Sequence, residues 1–450
     1  MSDIVALLQC LQPYMAATTL RQFSKIAVAI LAMTGRVTML GIARWAGQGG
    51  SYRTVQRFFY TALPWASLFW VFFRQHLYRP DDVYLLAGDE VVVTKAGEAT
   101  YGLDRFFASL LSRVVPGLAF FTLALISTQT RRSSPVCVEQ VVRSEAEKAA
   151  SRAKAEAKRA AQPAQPGKRG RPKGSKNKVS AAVILSPELQ RIQALLEGQL
   201  KRMAGLIRVR YLVLDGHFGN HPTLHMVRQC GLHLISKLRQ DAALYLLYDG
   251  PYQGRGPHRK YGAKLDCRHL PDQCLKATTT EGQIETRIYQ TQALHKEFSQ
   301  PLNVVIIVKT HRQTRACAHV ILFASDLTLA YDQLIDYYRL RFQIEFNFRD
   351  AKQYWGLEDF MNISPTAVTN AANLALFMVN LSQRLLGNLR STDPESSILD
   401  LKALYRGTKY VTEAIEMLQA KPEPDLFARI FDKLAALGRI HVGQPTLSSP

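Results

Sequence analysis

The chain has 450 residues, 47% of them hydrophobic and 21% charged, which describes a globular protein with a large buried core. Its formal net charge of +21 argues against an ordinary small-metabolite enzyme and for a polyanionic partner, nucleic acid before an anionic membrane surface. Six cysteines are too few for a disulfide scaffold.

The opening Met1-Ser2-Asp3 has no basic region of the kind that starts a secretory signal. The longest apolar runs, Tyr60–Phe73 and Val114–Ser127, each contain a proline and fall short of the ~20 residues that span a bilayer. A soluble, intracellular protein is expected, with no membrane partner. There is no GxxxxGK[ST] loop, no HExxH and no GxSxG, so any chemistry proceeds without an ATP site of the usual kind.

Residues 1–80 read as a helical region, with apolar positions at helical spacing through Leu20–Met33 and Leu63–Phe73. Between them, Met39–Ala46 is one predicted helix and Gln48-Gly49-Gly50 a turn. Ser51 caps a second helix over Tyr52–Thr61. This is a helix-turn-helix outline whose second helix projects Arg53, Gln56 and Arg57, residue types that reach phosphates and base edges. A plain helical pair in a bundle gives the same outline.

Val83–Thr94 is β-like, interrupted by Gly88-Asp89-Glu90. Phe106–Ser127 predicts two further strands with Pro116-Gly117 as the turn between them. Residues 145–180 then shift in composition. Eleven Lys and Arg against three Glu over 145–178, with almost no large apolar side chains, predict an exposed basic linker or arm. Ser186–Met203 returns to an amphipathic helix. Val209–Leu214 is a short buried strand ending in Asp215, His221–Cys230 a helix and Leu232–Leu238 a strand. Residues 241–326 read as a β-rich insert containing Ile284–Tyr289 and Asn303–Lys309. Leu334–Trp355 is a strong helix candidate, and further helices run to about Gly438.

Three acids stand out. Asp89 sits inside an apolar β run, where a carboxylate is costly to bury unless a cation or donor meets it. Asp215 closes a second such run. Glu345 lies on the Leu334–Trp355 helix, and at about 100° per residue Tyr338, Arg341 and Lys352 fall within roughly 40° of it. One helical face therefore carries an acid between two cations and a phenol. It suits a metal on the Glu and phosphates on Arg and Lys. The alternative is a solvated face with an Arg–Glu pair worth only ~0.3–0.5 kcal/mol. Either Asp alone also suits a turn former or a salt-bridged acid. Cys267, His269 and Cys274, with His258 nearby, match no standard zinc spacing. His217, beside Asp215, is read as positioning or structural.

The spacing Tyr338-x2-Arg341-x3-Glu345-x6-Lys352 resembles, position for position, the YREK signature of one large group of bacterial insertion-sequence transposases. Ala87-Gly88-Asp89-Glu90 and Leu214-Asp215-Gly216-His217-Phe218-Gly219 resemble the contexts of the first and second catalytic aspartates of that group. Ser325–Leu329 and Tyr354–Phe360 resemble its flanking text. The resemblance covers about residues 80–380 and, more weakly, the N-terminal helices.

That resemblance implies an α/β fold: a ribonuclease H-like mixed-sheet core with a β-rich insertion, plus helical N-terminal and C-terminal regions. The core would begin at 81–240, interrupted by the basic arm, and resume at 327–385. The insertion would occupy 241–326, and C-terminal helices 386–450. Asp89 would lie on the first strand, Asp215 at the end of the fourth and Glu345 on a later helix, meeting as a DDE triad.

The implied activity is cut-and-paste transposition, with cleavage at the element ends and attack of a 3′-hydroxyl on target DNA. Three converging carboxylates repel unless divalent cations are present, and hard oxygen ligands suit two Mg²⁺, with Mn²⁺ as substitute. Tyr338, Arg341 and Lys352 would bind element-end DNA. The implied partners are the terminal inverted repeats, target DNA and further copies of the chain in a dimer or higher oligomer. The implied location is the bacterial cytoplasm, on the nucleoid. Lys168–Lys173, with Arg169 and Arg171 around Gly170 and Pro172, resembles an AT-hook for the minor groove of A·T-rich DNA. A basic linker binding through counterion release is the plainer reading. A catalytically silent DNA-binding derivative and a nuclease without strand transfer are the alternative functions.

Overall fold

The computed structural model describes residues 2–108, 111–160, 183–252, 254, 258–419 and 422–441. The N-terminal region is helical: α1 (Ser2–Leu8), α2 (Ala17–Ala32), α3 (Met39–Ala46), α4 (Tyr52–Tyr60) and α5 (Trp65–His76). The Thr38 hydroxyl accepts from Gly41 N at 3.1 Å and the Ser51 hydroxyl from Thr54 N at 3.4 Å, so α3 and α4 each start at a side-chain cap. Gly47 and Gly49, at φ 67° and 75°, turn the chain between them, a conformation that other L residues rarely adopt. Val55, Phe58 and Phe59 of α4 are buried, while Arg53 and Arg57 are exposed on its other side.

The strands are β1 (Tyr84–Thr94), β2 (Asp104–Ala108), β3 (Arg113–Ser127), β4 (Ser133–Val141), β5 (Tyr211–Val213) and β6 (His233–Leu238). Then come β7 (Leu244–Leu247), β8 (Tyr261–Lys264), β9 (Leu275–Glu281), β10 (Ile284–His295), β11 (Leu302–His311) and β12 (Cys317–Ala324). The central order is β4-β3-β1-β5-β6. β1, β3 and β4 pair antiparallel, and β1, β5 and β6 pair parallel. This is a ribonuclease H-like arrangement. β12 pairs antiparallel with β6, so the strands of the 241–326 segment extend the same sheet.

Side chains of β1 alternate between two cores, as a strand's period of two requires. Leu85, Ala87, Val91 and Val93 face one core. It also holds α9 (Tyr331–Leu340), α10 (Gln343–Tyr354) and α11 (Pro365–Arg390). Tyr84 and Leu86 face the other, packed by α7 (Pro187–Met203) and α8 (His221–Gln229). The C-terminal helices α12 (Ile398–Glu416) and α13 (Pro424–Ala435) complete the described chain.

Three expectations are corrected. Pro116-Gly117 is not a turn. Both residues lie inside β3, where Gly117 pairs with Thr94 on one side and Asp104 on the other. A Cβ at Gly117 would meet the Val93 carbonyl oxygen at 2.4 Å, so glycine is required by close backbone approach rather than by a reversal. The start of the basic segment is not an open arm, since Glu145–Ala160 forms helix α6. Its Ala, Glu, Lys and Arg are strong helix formers, and Ser144 and Glu147 bond each other's backbone N–H at its start. Arg191 of α7 anchors Glu147 at 2.8 Å. The AT-hook-like Lys168–Lys173, with Arg169 and Arg171, lies outside the described residues.

The third correction concerns Leu334–Trp355, which is two helices. α9 and α10 meet at Arg341-Phe342 through short-range bonds, Phe342 N to Arg339 O at 3.1 Å and Glu345 N to Phe342 O at 3.1 Å. No Pro or Gly marks this break. It is a tightened turn between buried Leu340 and Ile344, with Phe342 half exposed on the outside.

The N-terminal helices are fastened to α11 by one buried amide. Asn370 Oδ1 accepts from Trp65 Nε1 at 2.7 Å, and its Nδ2 donates to the carbonyls of Phe59 at 2.8 Å and Thr61 at 2.7 Å. Asn370→Ala strips partners from one buried donor and two carbonyls. It is expected to cost about 2–4 kcal/mol, read as a lower urea midpoint without change in m-value.

Candidate active site

Asp89 lies on β1 with the same parity as Ala87 and Val91, so its carboxyl faces the α10 side of the sheet. β1 and β5 run parallel with Ala87 opposite Val213. Continuing that register by two residues sets Asp215 beside Asp89. Asp215 leaves the strand as the cap of a short turn, Gly216–Phe218. Its Oδ1 accepts from His217 N at 3.0 Å and its carbonyl from the Ser236 hydroxyl at 2.6 Å. Asp215 ends the fifth strand in chain order rather than the fourth, because the short β2 hairpin strand intervenes. Gly88 allows the tight packing beneath Asp89, since a Cβ there would meet the Phe121 ring at 2.8 Å and Leu214 at 3.0 Å.

Glu345 comes from the first turn of α10. Ile344, Phe348 and Ala351 bury the opposite side of that helix, and Asn347 Nδ2 donates to the Ser133 hydroxyl at 2.7 Å, which docks α10 on the start of β4. Arg341, at the break before α10, binds two of the acids at once. Its Nη1 lies 2.8 Å from Asp89 Oδ2 and its Nη2 3.1 Å from Glu345 Oε1. Its side chain is only 13% exposed. This is far from the solvated pair that the spacing alone allowed. Tyr338 stands over the same cluster, its ring centroid 6.0 Å from the Arg341 guanidinium carbon. Burial, together with the nearby charges of Asp215 and Asp89, raises its pKa despite the opposing pull of Arg341.

Burial pushes the Asp89 carboxyl up to about 6. Arg341 and the Glu90 N–H bond oppose the rise, while Asp215 and Glu345 add to it. The three acids therefore lie within electrostatic reach of one another, with one guanidinium as their shared counter-charge.

Lys352, further along α10, donates to the Val92 carbonyl of β1 at 2.9 Å and pairs with Glu358 at 2.8 Å. The same loop is held by Lys95, which donates to the carbonyls of Glu358 at 3.1 Å and Phe360 at 2.7 Å and sits 3.7 Å over the Phe360 ring. Burial lowers the Lys95 pKa to about 8. Lys95 and Glu358 were not singled out from the sequence. Glu358 is six residues beyond Lys352 and past the end of α10, so no helical spacing relates them. Arg53 and Arg57 lie exposed on α4, and among the described residues no hydrogen bond or ion pair ties them to the acid cluster.

The donor set suits a hard divalent cation: carboxylates from three separate elements, converging where the fold already places one positive group. Two buried atoms there have no partner among the described residues. One is Thr122 Oγ1, on the residue opposite Asp89 in β3, and the other is Arg341 Nε. As the chain stands, no three acid, His or Cys side chains among the described residues are arranged to hold a metal. Arg341 occupies the bonds of Asp89 and Glu345 that a cation would take.

The fold is thus a ribonuclease H-like sheet with Asp89 on β1, Asp215 just beyond β5 and Glu345 on a following helix. The sequence matches the DDE superfamily endonuclease family over residues 6–301, and the chain belongs to it. That span includes Asp89 and Asp215 and ends before Glu345. A comparison with curated proteins gives no match.

Arg341 is the largest influence holding Asp89 down. Arg341→Gln in the metal-free chain should therefore move the Asp89 titration upward from about 6, followed by carboxyl carbon NMR. A downward or absent shift would show that the guanidinium does not neutralise Asp89.

Proposed function

We propose that the protein is a DDE transposase of the YREK group that cuts DNA at the ends of an insertion sequence and joins the freed 3′-hydroxyl to target DNA. The observation that carries this reading is the Arg341 guanidinium bonded to both Asp89 and Glu345, with Asp215 just beyond the end of the neighbouring parallel strand. In this reading Asp89, Asp215 and Glu345 hold two Mg²⁺, or Mn²⁺ in its place, whose chemistry when bound is to activate a water or 3′-hydroxyl and stabilise the leaving oxygen.

The chain's own groups do the positioning. Arg341 is a planar fork suited to a phosphate once its acids are otherwise neutralised. Tyr338 walls the cluster and offers its ring and hydroxyl to the terminal nucleotide. Lys352 supplies a second phosphate contact from α10, in exchange for Glu358. Joining replaces one phosphodiester with another, so the absence of a nucleotide-binding loop motif agrees with the reaction. The α3–α4 pair, with Arg53 and Arg57, recognises the terminal repeats. The basic segment around Arg169 and Arg171 adds affinity, and paired ends are held by two or more copies of the chain.

The test is Mg²⁺-dependent nicking and joining of duplexes carrying the element's ends. Asp89→Asn, Asp215→Asn and Glu345→Gln should each lower the rate by roughly 10²–10³-fold or more, the scale for losing a preorganised charged group. Their circular dichroism should be unchanged. Nicking by Asp89→Asn at the wild-type rate would reject the assignment, and nicking without joined product would reduce it to a nuclease.

Glu358→Gln frees Lys352 without touching the acids. It should tighten binding of end duplex and steepen its salt dependence by about one phosphate contact, measured by anisotropy across a salt series.

A further inference from the structure

A cavity of about 310 Å³ opens at the end of the sheet away from the acids, between the end of α5, the start of β1, the β3–β4 connection and α11. Tyr84 lines it, five residues up β1 from Asp89 and hence roughly 17 Å away along the strand. Three arginines line it as well: Arg79, Arg132 and Arg384. No carboxylate among the described residues does.

None of the three arginines forms an ion pair among the described residues, and Arg384 donates only to the Asn388 amide oxygen. Asp82, which accepts from the Ser127 hydroxyl of the cavity wall, is further engaged by the Thr128 hydroxyl and by Gln129 N. Other polar groups of the wall are engaged: Thr130 Oγ1 donates to Ser127 Oγ at 2.8 Å, and Gln383 Nε2 donates to the Ser133 carbonyl at 2.6 Å. The guanidinium groups of Arg79 and Arg132 have no hydrogen-bond partner among the described residues. Burial and the nearby charges of Arg390 and Arg79 lower the pKa of Arg132. Such a set accepts a ligand with several acceptor oxygens and more than one negative charge, which is the chemistry of a phosphate group.

We infer that this cavity is a second phosphate-binding site, remote from the acid cluster, in which Arg79, Arg132 and Arg384 grip the oxygens of one phosphate group. The phosphate comes either from a DNA backbone or from a free phosphate ester. The two sources present the same oxygens to the same forks.

The experiment titrates inorganic phosphate into the full chain at constant ionic strength, by calorimetry and by thermal shift, with chloride as reference. Wild type should show saturable binding. Arg132→Gln and Arg384→Gln should each weaken it by about tenfold or more, the effect of one lost charge-assisted contact. Arg79→Gln, at an exposed position, is a third variant that does not threaten folding. Arg341→Gln should leave phosphate binding unchanged.

A mixed-sequence duplex in EDTA then separates the sources. If phosphate competes with the duplex and Arg132→Gln weakens duplex binding, the occupant is backbone. If duplex binding is unaffected while phosphate binding falls, the occupant is a free ester. Either result supports the site. It is overturned if phosphate gives no saturable signal beyond chloride, if the arginine variants bind it as tightly as wild type, or if only Arg341→Gln loses it.

Discussion

A carboxylate inside an apolar strand needs a counter-charge, and Arg341 supplies it to Asp89 while also binding Glu345. Breaking such a pair by removing one partner leaves a buried charge uncompensated, at a cost of about 3–5 kcal/mol. This requirement accounts for the local shape around the cluster. It explains why the helix tightens at Arg341-Phe342, where the guanidinium turns inward toward β1 while Leu340 and Ile344 keep their places in the core. It also explains why α10 sits on the Asp89 face of the sheet. The same bond sets a limit on function. A guanidinium holding two acids is not free for phosphate, and two acids held by a guanidinium are not free for a cation.

The sheet turns distant residues into neighbours by simple rules. Parity along β1 chooses the face for Asp89, and parallel pairing with β5 sets Asp215 at its side. Only Glu345 needs a helix to bring it in, and that helix is docked by Ile344, Phe348 and the Asn347–Ser133 bond. The loop after α10 is then tied back to β1 by Lys95 and Lys352, and to the connection between α2 and α3 through Asp359, which accepts from Val37 N at 2.9 Å and pairs with Arg36 at 3.5 Å.

Polar contacts also integrate the helical ends of the chain with the core. Lys402 of α12 donates to the Ile30 carbonyl at 2.7 Å and Arg406 to the Ala32 carbonyl at 3.1 Å, so two basic side chains satisfy the last carbonyls of α2. Lys402 also lies 5.0 Å over the Trp355 ring at the end of α10. The N-terminal helices, the C-terminal helices and the helix carrying Glu345 thus share one packed unit.

Much of this was legible in the residues alone. The strand of Asp89, the short strand before Asp215, the Ser51 cap of α4, and the shared face of Arg341 and Glu345 all follow from local periodicity and side-chain chemistry, which act over a few residues. The true place of Pro116-Gly117 was not legible, because a Pro-Gly pair reads as a turn until two partner strands are seen to claim it. Nor was the helical start of the basic segment, where strong helix formers were outweighed by composition. The Lys352–Glu358 pair, the bond from Arg341 to Asp89 and the arginine cavity at the far end of β1 join residues that no helical or strand spacing relates. Local chemistry named the acids, the cations and the elements that carry them. Strand register and helix docking, which depend on contacts hundreds of residues apart, decided which of those groups meet.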